Sequence, residues 1–471
     1  MKKLIYILLF SLPLNAMAFS EKRGLSENEF NDPGQIEVLA PGVNWYYNWG
    51  NAENKGVDGQ DMMEYVPMCW NGSYNANTIR DYCKNHPETK YLLGFNEPNF
   101  RDQANMTPKA AAAAWPKVQQ LAKEFDLKIV APAMNYSPDA PYYTPESWMD
   151  EFVELVGLDA FDYVAIHSYG GAGLISYLAD FFYKRYGKPV WVTEFCLWQG
   201  NHTPEEQISD MMASVEWMEK SDCVFRYGWF KAVGYSTANA GPNYGLLVKK
   251  GANWELSEQG KVYTYMSNFD SEVYYPVNTM IPSSEYISSK GILLGGTKDS
   301  EAKIPIEITK FNNGATVDYQ FDVPEDSAYE LVLRVSGIGS PSKADPSLAV
   351  GLLNKYGFEK ETILQPTSFT LSNSNEIYSE VKFNLNLNKG KQTIRLRDGN
   401  PKEDSGLRIS GISLNKISAG ISEISLSDET KLVDVYDLQG ICIKKKVAQS
   451  EALIDLPAGI YIIEDKKVIK N

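Results

Sequence analysis

Residues 91–100, YLLGFNEPNF, constrain the fold more than any other stretch of this chain. Tyr91-Leu92-Leu93-Gly94-Phe95 is short and nearly all apolar, the composition of a parallel strand buried on both faces. It breaks into Asn96-Glu97-Pro98-Asn99, a turn with a carboxylate in its middle. The C-terminal end of a buried strand is where a (β/α) barrel places its reactive groups. A second run has the same design: Pro189-Val190-Trp191-Val192-Thr193, then Glu194. Two glutamates at two strand ends, far apart in sequence, form a candidate acid/base and nucleophile pair.

The surroundings of both runs support a parallel sheet. Between Pro41 and Ala232 the sequence predicts strands at 43–47, 65–69, 91–95, 128–132, 163–167, 190–195 and 225–230. Helical patterns lie between them at 107–125, 147–156, 174–186 and 203–220, the first and last opened by Thr-Pro. This βαβα rhythm implies a parallel sheet, and about 230 residues suit a (β/α)8 barrel. Seven strands are visible, so one element is irregular or hidden. A doubly wound open sheet is the structural rival, but no Gly-rich dinucleotide fingerprint follows any strand.

After Asp270 helical periodicity gives way to alternating strands at 316–323, 328–335, 379–387 and 392–397, the pattern of an antiparallel β-sandwich. The expected division is an export signal at 1–18, a barrel at 19–270, a sandwich at 271–417 and a compact β tail at 418–471. The signal reads as Lys2-Lys3, an apolar run from Leu4 to Leu14 and the cleavage site Ala16-Met17-Ala18. That run is too short to span a bilayer, and no later segment approaches a spanning helix. An exported protein with no integral membrane segment is expected.

Net charge is −15 with no dense Lys/Arg block, which excludes nucleic acid and anionic membranes as natural partners and favours a neutral ligand. Three histidines and five scattered cysteines without CxxC spacing give no zinc or other metal centre, and no cofactor is expected. The cysteines offer at most a Cys69–Cys83 pair. Nothing suggests an obligate assembly, so a monomer is expected.

Cleavage of a glycoside needs a proton donor at the leaving oxygen and a carboxylate facing the anomeric carbon. Glu97 takes the first role and Glu194 the second, with Asn96 hydrogen-bonding the sugar 2-hydroxyl. The acid must keep its proton, so its site is expected to be drier or more negative than that of Glu194. His167 and Tyr169 share one face at another strand end, where they either orient a catalytic carboxylate or serve the barrel core. Trp45, Trp49, Trp70, Trp198 and Trp229 crowd the same rim and are candidate sugar platforms. Trp115, Trp148 and Trp217 fall in helical patterns and are assigned to packing, while Trp191 suits either role.

Several motifs occur in order: Asn44-Trp45-Tyr46-Tyr47-Asn48-Trp49, Tyr65-Val66-Pro67-Met68, Leu93-Gly94-Phe95-Asn96-Glu97-Pro98, Ala131-Pro132-Ala133, Ala165-Ile166-His167-Ser168-Tyr169 and Trp191-Val192-Thr193-Glu194-Phe195. Together they resemble glycoside hydrolase family 128, the Asl1-like catalytic core, over residues 38–265. The resemblance implies a retaining β-1,3-glucanase on a modified (β/α)8 barrel, with Glu97 as acid/base, Glu194 as nucleophile and aromatic platforms for a curved β-glucan chain. Cys69-Trp70-Asn71 and Asn99 depart from the common pattern. The following region loosely resembles family 6-like carbohydrate-binding modules, through 314–321, 329–335 and 390–396. The tail is similar to C-terminal sorting domains of Bacteroidetes secreted proteins, with Ile441-Cys442 where a basic residue is usual.

Overall fold

The computed structural model describes residues 20–470 apart from 58–61, 199, 235–243, 339–344, 403–404, 418–430, 438–439, 458 and 465. The expected export signal therefore lies outside the described residues. Among the described residues no helix is long and apolar enough to cross a membrane.

Eight parallel strands form the first sheet: β1 Arg23–Ser26, β2 Trp45–Tyr47, β3 Glu64–Tyr65, β4 Tyr91–Leu93, β5 Lys128–Met134, β6 Tyr163–Ser168, β7 Val190–Phe195 and β8 Val224–Phe230. Their spatial order is β3-β2-β1-β8-β7-β6-β5-β4. The two ends of this path meet just beyond β3, where Leu93 N–H donates to Pro67 O at 3.0 Å and Cys69 N–H to Leu93 O at 2.9 Å. The sheet is thereby curled into a (β/α)8-like barrel. Its helices are α1 Pro33–Leu39, α2 Ala76–Asn85, α3 Pro108–Glu124, α4 Pro145–Val156, α5 Ala172–Tyr186, α6 Pro204–Lys220 and α7 Glu258–Tyr265. The Thr-Pro starts behave as expected: the Thr107 and Thr203 side chains cap α3 and α6, and Glu206 closes a reciprocal capping box at the second.

The hidden eighth strand is β1, which precedes Pro41, where the sequence pattern begins. Its four residues, RGLS, include a single large apolar side chain, too little for any hydrophobic periodicity. Gly24 is required there by close approach, because a Cβ at this position would sit 2.2 Å from the Trp45 ring. Arg23 is fully buried. Its guanidinium donates to Tyr263 O and Met266 O at 3.0 Å and to Ser267 O at 2.8 Å, tying β1 to the end of α7.

The barrel interior is filled by Trp45, Tyr47, Val66, Met68, Leu93 and Trp191 among others. Its floor is closed by Arg226, whose guanidinium carbon lies 4.6 Å from the Tyr91 ring centre and 5.2 Å from that of Trp191. Glu64 neutralises this charge at 2.6 Å. With the N-terminal end plugged, the C-terminal strand ends are left as the open mouth.

The strands from Tyr275 to Lys416 form a ten-stranded, mainly antiparallel sheet, and the stretch from Tyr274 to Pro282, which reads in the sequence as a linker and first edge, contributes two of its short edge pieces, Tyr275–Pro276 and Ile281–Pro282. It packs against the outside of the barrel. Ser288 and Ser289 donate to Glu216 on α6, Lys310 pairs with Glu205 at 2.6 Å, and Gly296 N–H donates to Glu258 on α7. The tail has a four-stranded sheet of its own around Val433, Val435, Ala452 and Ile463. The sequence predicts a strand at 433–438 and turns at Gln439-Gly440 and Leu456-Pro457-Ala458-Gly459 in this tail, of which Leu438, Gln439 and Ala458 lie outside the described residues. All five cysteines are free thiols, including Cys69 and Cys83.

Candidate active site

Four consecutive strands of the barrel deliver one polar side chain each to the mouth. Glu97 follows β4, Asn135 follows β5, His167 lies on β6 and Glu194 on β7. The turn at Glu97 adopts a left-handed backbone (φ 43°), which ends the strand while Glu97 N–H still donates to Ala133 O at 3.0 Å. His167 and Glu194 are paired neighbours in the β6–β7 register. Both glutamates are buried at the bottom of the mouth, with 6% and 3% exposure.

Glu194 is held at both oxygens. Oε1 accepts from Tyr47 Oη and from Trp49 Nε1, each at 2.8 Å, and Oε2 accepts from Tyr169 Oη. Glu97 is held at one: Oε1 accepts from Asn135 Nδ2 at 2.9 Å and lies 2.7 Å from His167 Nδ1. The same Nδ1 is 3.3 Å from Glu194 Oε2. One donor atom from each of Glu97, His167 and Glu194 can be chosen so that all three lie within 4.8 Å of one another. The set suits a shared proton better than a metal ion, since Glu194 already accepts from three X–H donors and the His167–Glu97 contact has hydrogen-bond length.

The electrostatics differ from expectation. Burial alone would raise the Glu97 carboxyl, but the charge of His167 and hydrogen bonds from His167 and Asn135 outweigh it and hold the group below its ordinary range. Burial pushes His167 down, and attraction to Glu194 and Glu97 more than reverses this, so it stands above its ordinary value. One proton is thus retained by the Glu97–His167 pair, rather than by a carboxyl in a drier or more negative site. Burial and the neighbouring Glu194 charge push the Tyr47 and Tyr169 phenols well up, so both remain donors.

Above the carboxylates lies a cleft of about 1380 Å³, lined on one side by Trp49, Tyr169, Trp198, Phe230 and Tyr244. These rings touch in sequence: Trp49 and Phe230 centres are 5.9 Å apart, Phe230 and Trp198 5.4 Å, and Trp198 stacks on Tyr244 at 5.5 Å. Trp70, Phe100, Tyr136 and Tyr143 also line it, from the loops after β3, β4 and β5. Asn96 reaches the cleft as expected; its Nδ2 donates to Gln103 Oε1 at 3.2 Å, and its buried Oδ1 has no partner among the described residues.

Three expected ligand-contacting residues are not on the cleft surface. Trp45 is fully buried in the barrel interior, edge-on to Trp191 at 5.0 Å, with its N–H on Lys22 O. Trp229 is fully buried on the outer face of β8, packed on Phe195 and bonded to Tyr244 O at 2.8 Å. His167 is fully buried and meets the carboxylates rather than the open cleft. Conversely, Tyr47 and Asn135, which are not among the expected site residues, stand at the centre of the site. Both carry the signal that found the glutamates, a polar tip at or just past a strand end.

Trp198 has the exposure of a binding surface, 40%, and no core role. Trp198→Ala is expected to weaken oligosaccharide binding about tenfold while leaving the melting temperature unchanged, as titration calorimetry and a thermal scan would show.

A (β/α)8-like barrel that gathers two glutamates beneath an aromatic-walled cleft has the architecture of a glycoside hydrolase. The chain belongs to the glycosyl hydrolase catalytic core family, whose pattern matches residues 24–263. It is 30% identical over 258 residues to alkali-sensitive linkage protein 1 of Schizosaccharomyces pombe, a match covering 52% of this chain and 44% of that protein. The chain thus spans less than half the length of that relative. It is also similar to two crystal structures of family 128, subgroup II, endo-β-1,3-glucanases. That from Pseudomonas viridiflava is 34% identical, with a TM-score of 0.47, over 52% of this chain and 97% of the other. That from Sorangium cellulosum is 30% identical, with a TM-score of 0.46, over 52% and 97%.

Proposed function

We propose that this protein is an exported, retaining endo-β-1,3-glucanase. The observation that carries the reading is the short separation of Glu97 and Glu194, whose nearest pairing of oxygens lies within 4.8 Å. Retaining glycosidases hold their carboxyls about 5–5.5 Å apart, whereas inverting ones leave about 6.5–9.5 Å for a water. The hydrogen bonds divide the roles. Glu194, held at both oxygens by Tyr47, Trp49 and Tyr169, is fixed as the anion that attacks the anomeric carbon. Glu97 has both donors on Oε1, leaving Oε2 to face the glycosidic oxygen as acid and then the incoming water as base. Asn96 is placed to bind the 2-hydroxyl beside them.

The β-1,3 linkage is supported by the family 128 endo-β-1,3-glucanases that this chain resembles, and by a wide cleft with aromatic rings along it. A cleft lined from both the β4–β5 and β7–β8 sides suits a polymer bound mid-chain. The antiparallel sheet fits a carbohydrate-binding role as a sandwich-like module. Tyr356 and Phe358, 71% and 70% exposed on one turn whose N–H groups donate to Asn354 Oδ1, offer it ring faces. The tail fits a sorting-like unit, and the N-terminal segment an export signal.

The test is a time course on linear β-1,3-glucan and on mixed-linkage β-1,3/1,4-glucan. An early ladder of oligosaccharides from the first, released as the β-anomer in proton NMR, is the expected result. Initial release of the α-anomer would overturn retention. Glucose alone would indicate exo action, and binding without turnover a capture protein.

A further inference from the structure

His167 is, among the described residues, the side chain that contacts both glutamates. Its Nδ1 lies 2.7 Å from Glu97 Oε1 and 3.3 Å from Glu194 Oε2, and it is fully buried on β6. Its other nitrogen, Nε2, is buried with no hydrogen-bond partner among the described residues. That orphan is informative about the proton. An imidazolium would bury an Nε2–H without an acceptor, whereas the neutral Nδ1–H tautomer leaves only a lone pair there, which costs less.

The two-step reaction moves a negative charge between the two glutamates. In the first step the Glu97 carboxyl gives its proton to the glycosidic oxygen, the bond from that oxygen to the anomeric carbon breaks, and a Glu194 oxygen forms an ester to that carbon. The leaving sugar departs as an alcohol, and the negative charge passes from Glu194 to Glu97. In the second step water attacks the anomeric carbon, its proton goes to Glu97, the ester bond breaks and the charge returns to Glu194.

We propose that His167 is a positioning residue that follows this charge, its Nδ1–H donating to Glu194 Oε2 while Glu194 is the anion and to Glu97 Oε1 once Glu97 is. The inference rests on the assignment of the two glutamates made above. Only a small turn of the imidazole is needed: Nδ1 hydrogen-bonds Glu97 Oε1 and stands 3.3 Å from Glu194 Oε2 without yet aiming its hydrogen there, while Tyr47, Trp49, Tyr169 and Asn135 hold both acceptors in place. The charged groups facing the imidazole are Glu97 from the end of β4 and Glu194 from β7; the Tyr47 and Tyr169 phenols around them stay protonated. In the free protein the raised His167 and lowered Glu97 values place the pair's proton on the imidazole, which keeps it as pH rises through the ordinary histidine range. In the productive complex the orphaned Nε2 favours that proton on Glu97.

The test uses three variants of the full chain on a linear β-1,3-gluco-oligosaccharide, with kcat and KM measured across pH. Asparagine places an amide N–H near the position of Nδ1 and has nothing to titrate; glutamine reaches toward Nε2. His167→Ala is expected to lose about 10²–10³-fold in kcat with KM little changed, the size seen when one preorganised donor is removed. His167→Asn should recover to within about tenfold of the native enzyme, whereas His167→Gln should not. The alkaline limb of the His167→Asn profile should move to lower pH, because the imidazole no longer shares the proton. Asn as poor as Ala, Gln as good as Asn, a limb that stays in place, or full activity in the alanine variant would each overturn the inference. Should the alanine variant fail to fold by circular dichroism, the Asn–Gln comparison decides alone. Glu97→Ala and Glu194→Ala are run beside them. If those two keep native activity, the glutamate assignment itself falls; if they are inactive while His167→Ala is fully active, only the role of His167 falls.

Discussion

Glu194→Ala is expected to lower turnover of linear β-1,3-glucan by roughly 10⁴-fold or more, the scale on which loss of a covalent nucleophile registers. Binding should persist, because the cleft holds its ligand through rings such as Trp49, Trp198, Phe230 and Tyr244 rather than through this carboxylate. The variant leaves a small space rimmed by three donors, Tyr47 Oη, Trp49 Nε1 and Tyr169 Oη, which in the native site all point at the lost oxygens. Such a space is suited to a small anion. Added azide should therefore restore part of the rate and be captured as the α-glycosyl azide, since it attacks from the Glu194 side of the ring. Glu97→Ala gives the complementary result. Its first step is slow on natural substrate but fast when the leaving group needs no proton, and azide then intercepts the ester to give the β-azide. The two product anomers, read by NMR, assign the roles separately. Exchange of the two outcomes would reverse the acid/base and nucleophile assignment.

How far this site can be read from the sequence depends on how local its signals are. Glu97 and Glu194 were visible because each is a carboxylate at the end of an apolar run, a pattern contained in a few residues. Depth was not visible. Trp45 and Trp229 share the strand-end neighbourhood and the aromatic character of true cleft residues, yet one fills the barrel axis and the other packs outward on Phe195. Alternation along a strand tells which residues share a face; it does not tell whether that face meets axis, helix or mouth. Tyr47 shows the same limit in reverse, since it lies on the same face as Trp45 but two residues closer to the mouth, where its hydroxyl reaches Glu194. Phe230, Tyr136, Tyr143 and Tyr244 come together from separate strand ends and loops, and no spacing encodes that convergence. Strand β1 is hidden in the sequence for a different reason: its structural weight is carried by a charged residue, which hydrophobic periodicity cannot count.

That residue is also where the fold should be most sensitive. Arg23→Leu is expected to destabilise the barrel by about 3–5 kcal/mol, the range for breaking a buried charge pair by removing one partner. The guanidinium spends its donors on three backbone carbonyls, Tyr263, Met266 and Ser267, and on Tyr227 Oη at 3.1 Å, with Glu219 at 3.4 Å. Leucine fills part of the volume but leaves the carbonyls without donors and Glu219, 4% exposed, without its cation. Lysine restores the charge but not the planar fork, so Arg23→Lys should fall between leucine and native. The midpoint of urea unfolding, followed by tryptophan fluorescence, measures each loss. Pairing Arg23→Leu with Glu219→Gln separates the two costs: recovery of a large share would assign the loss to the stranded anion, while no recovery would assign it to the carbonyls of the α7 end. Either way β1 should be the strand released first, because Arg23 is its principal tie to the helix behind it, and Gly24 beside it has no side chain with which to pack. An arginine variant as stable as the native chain would mean that β1 is held by its ladders to β2 and β8 and by the Tyr263 hydroxyl on Gly24 O.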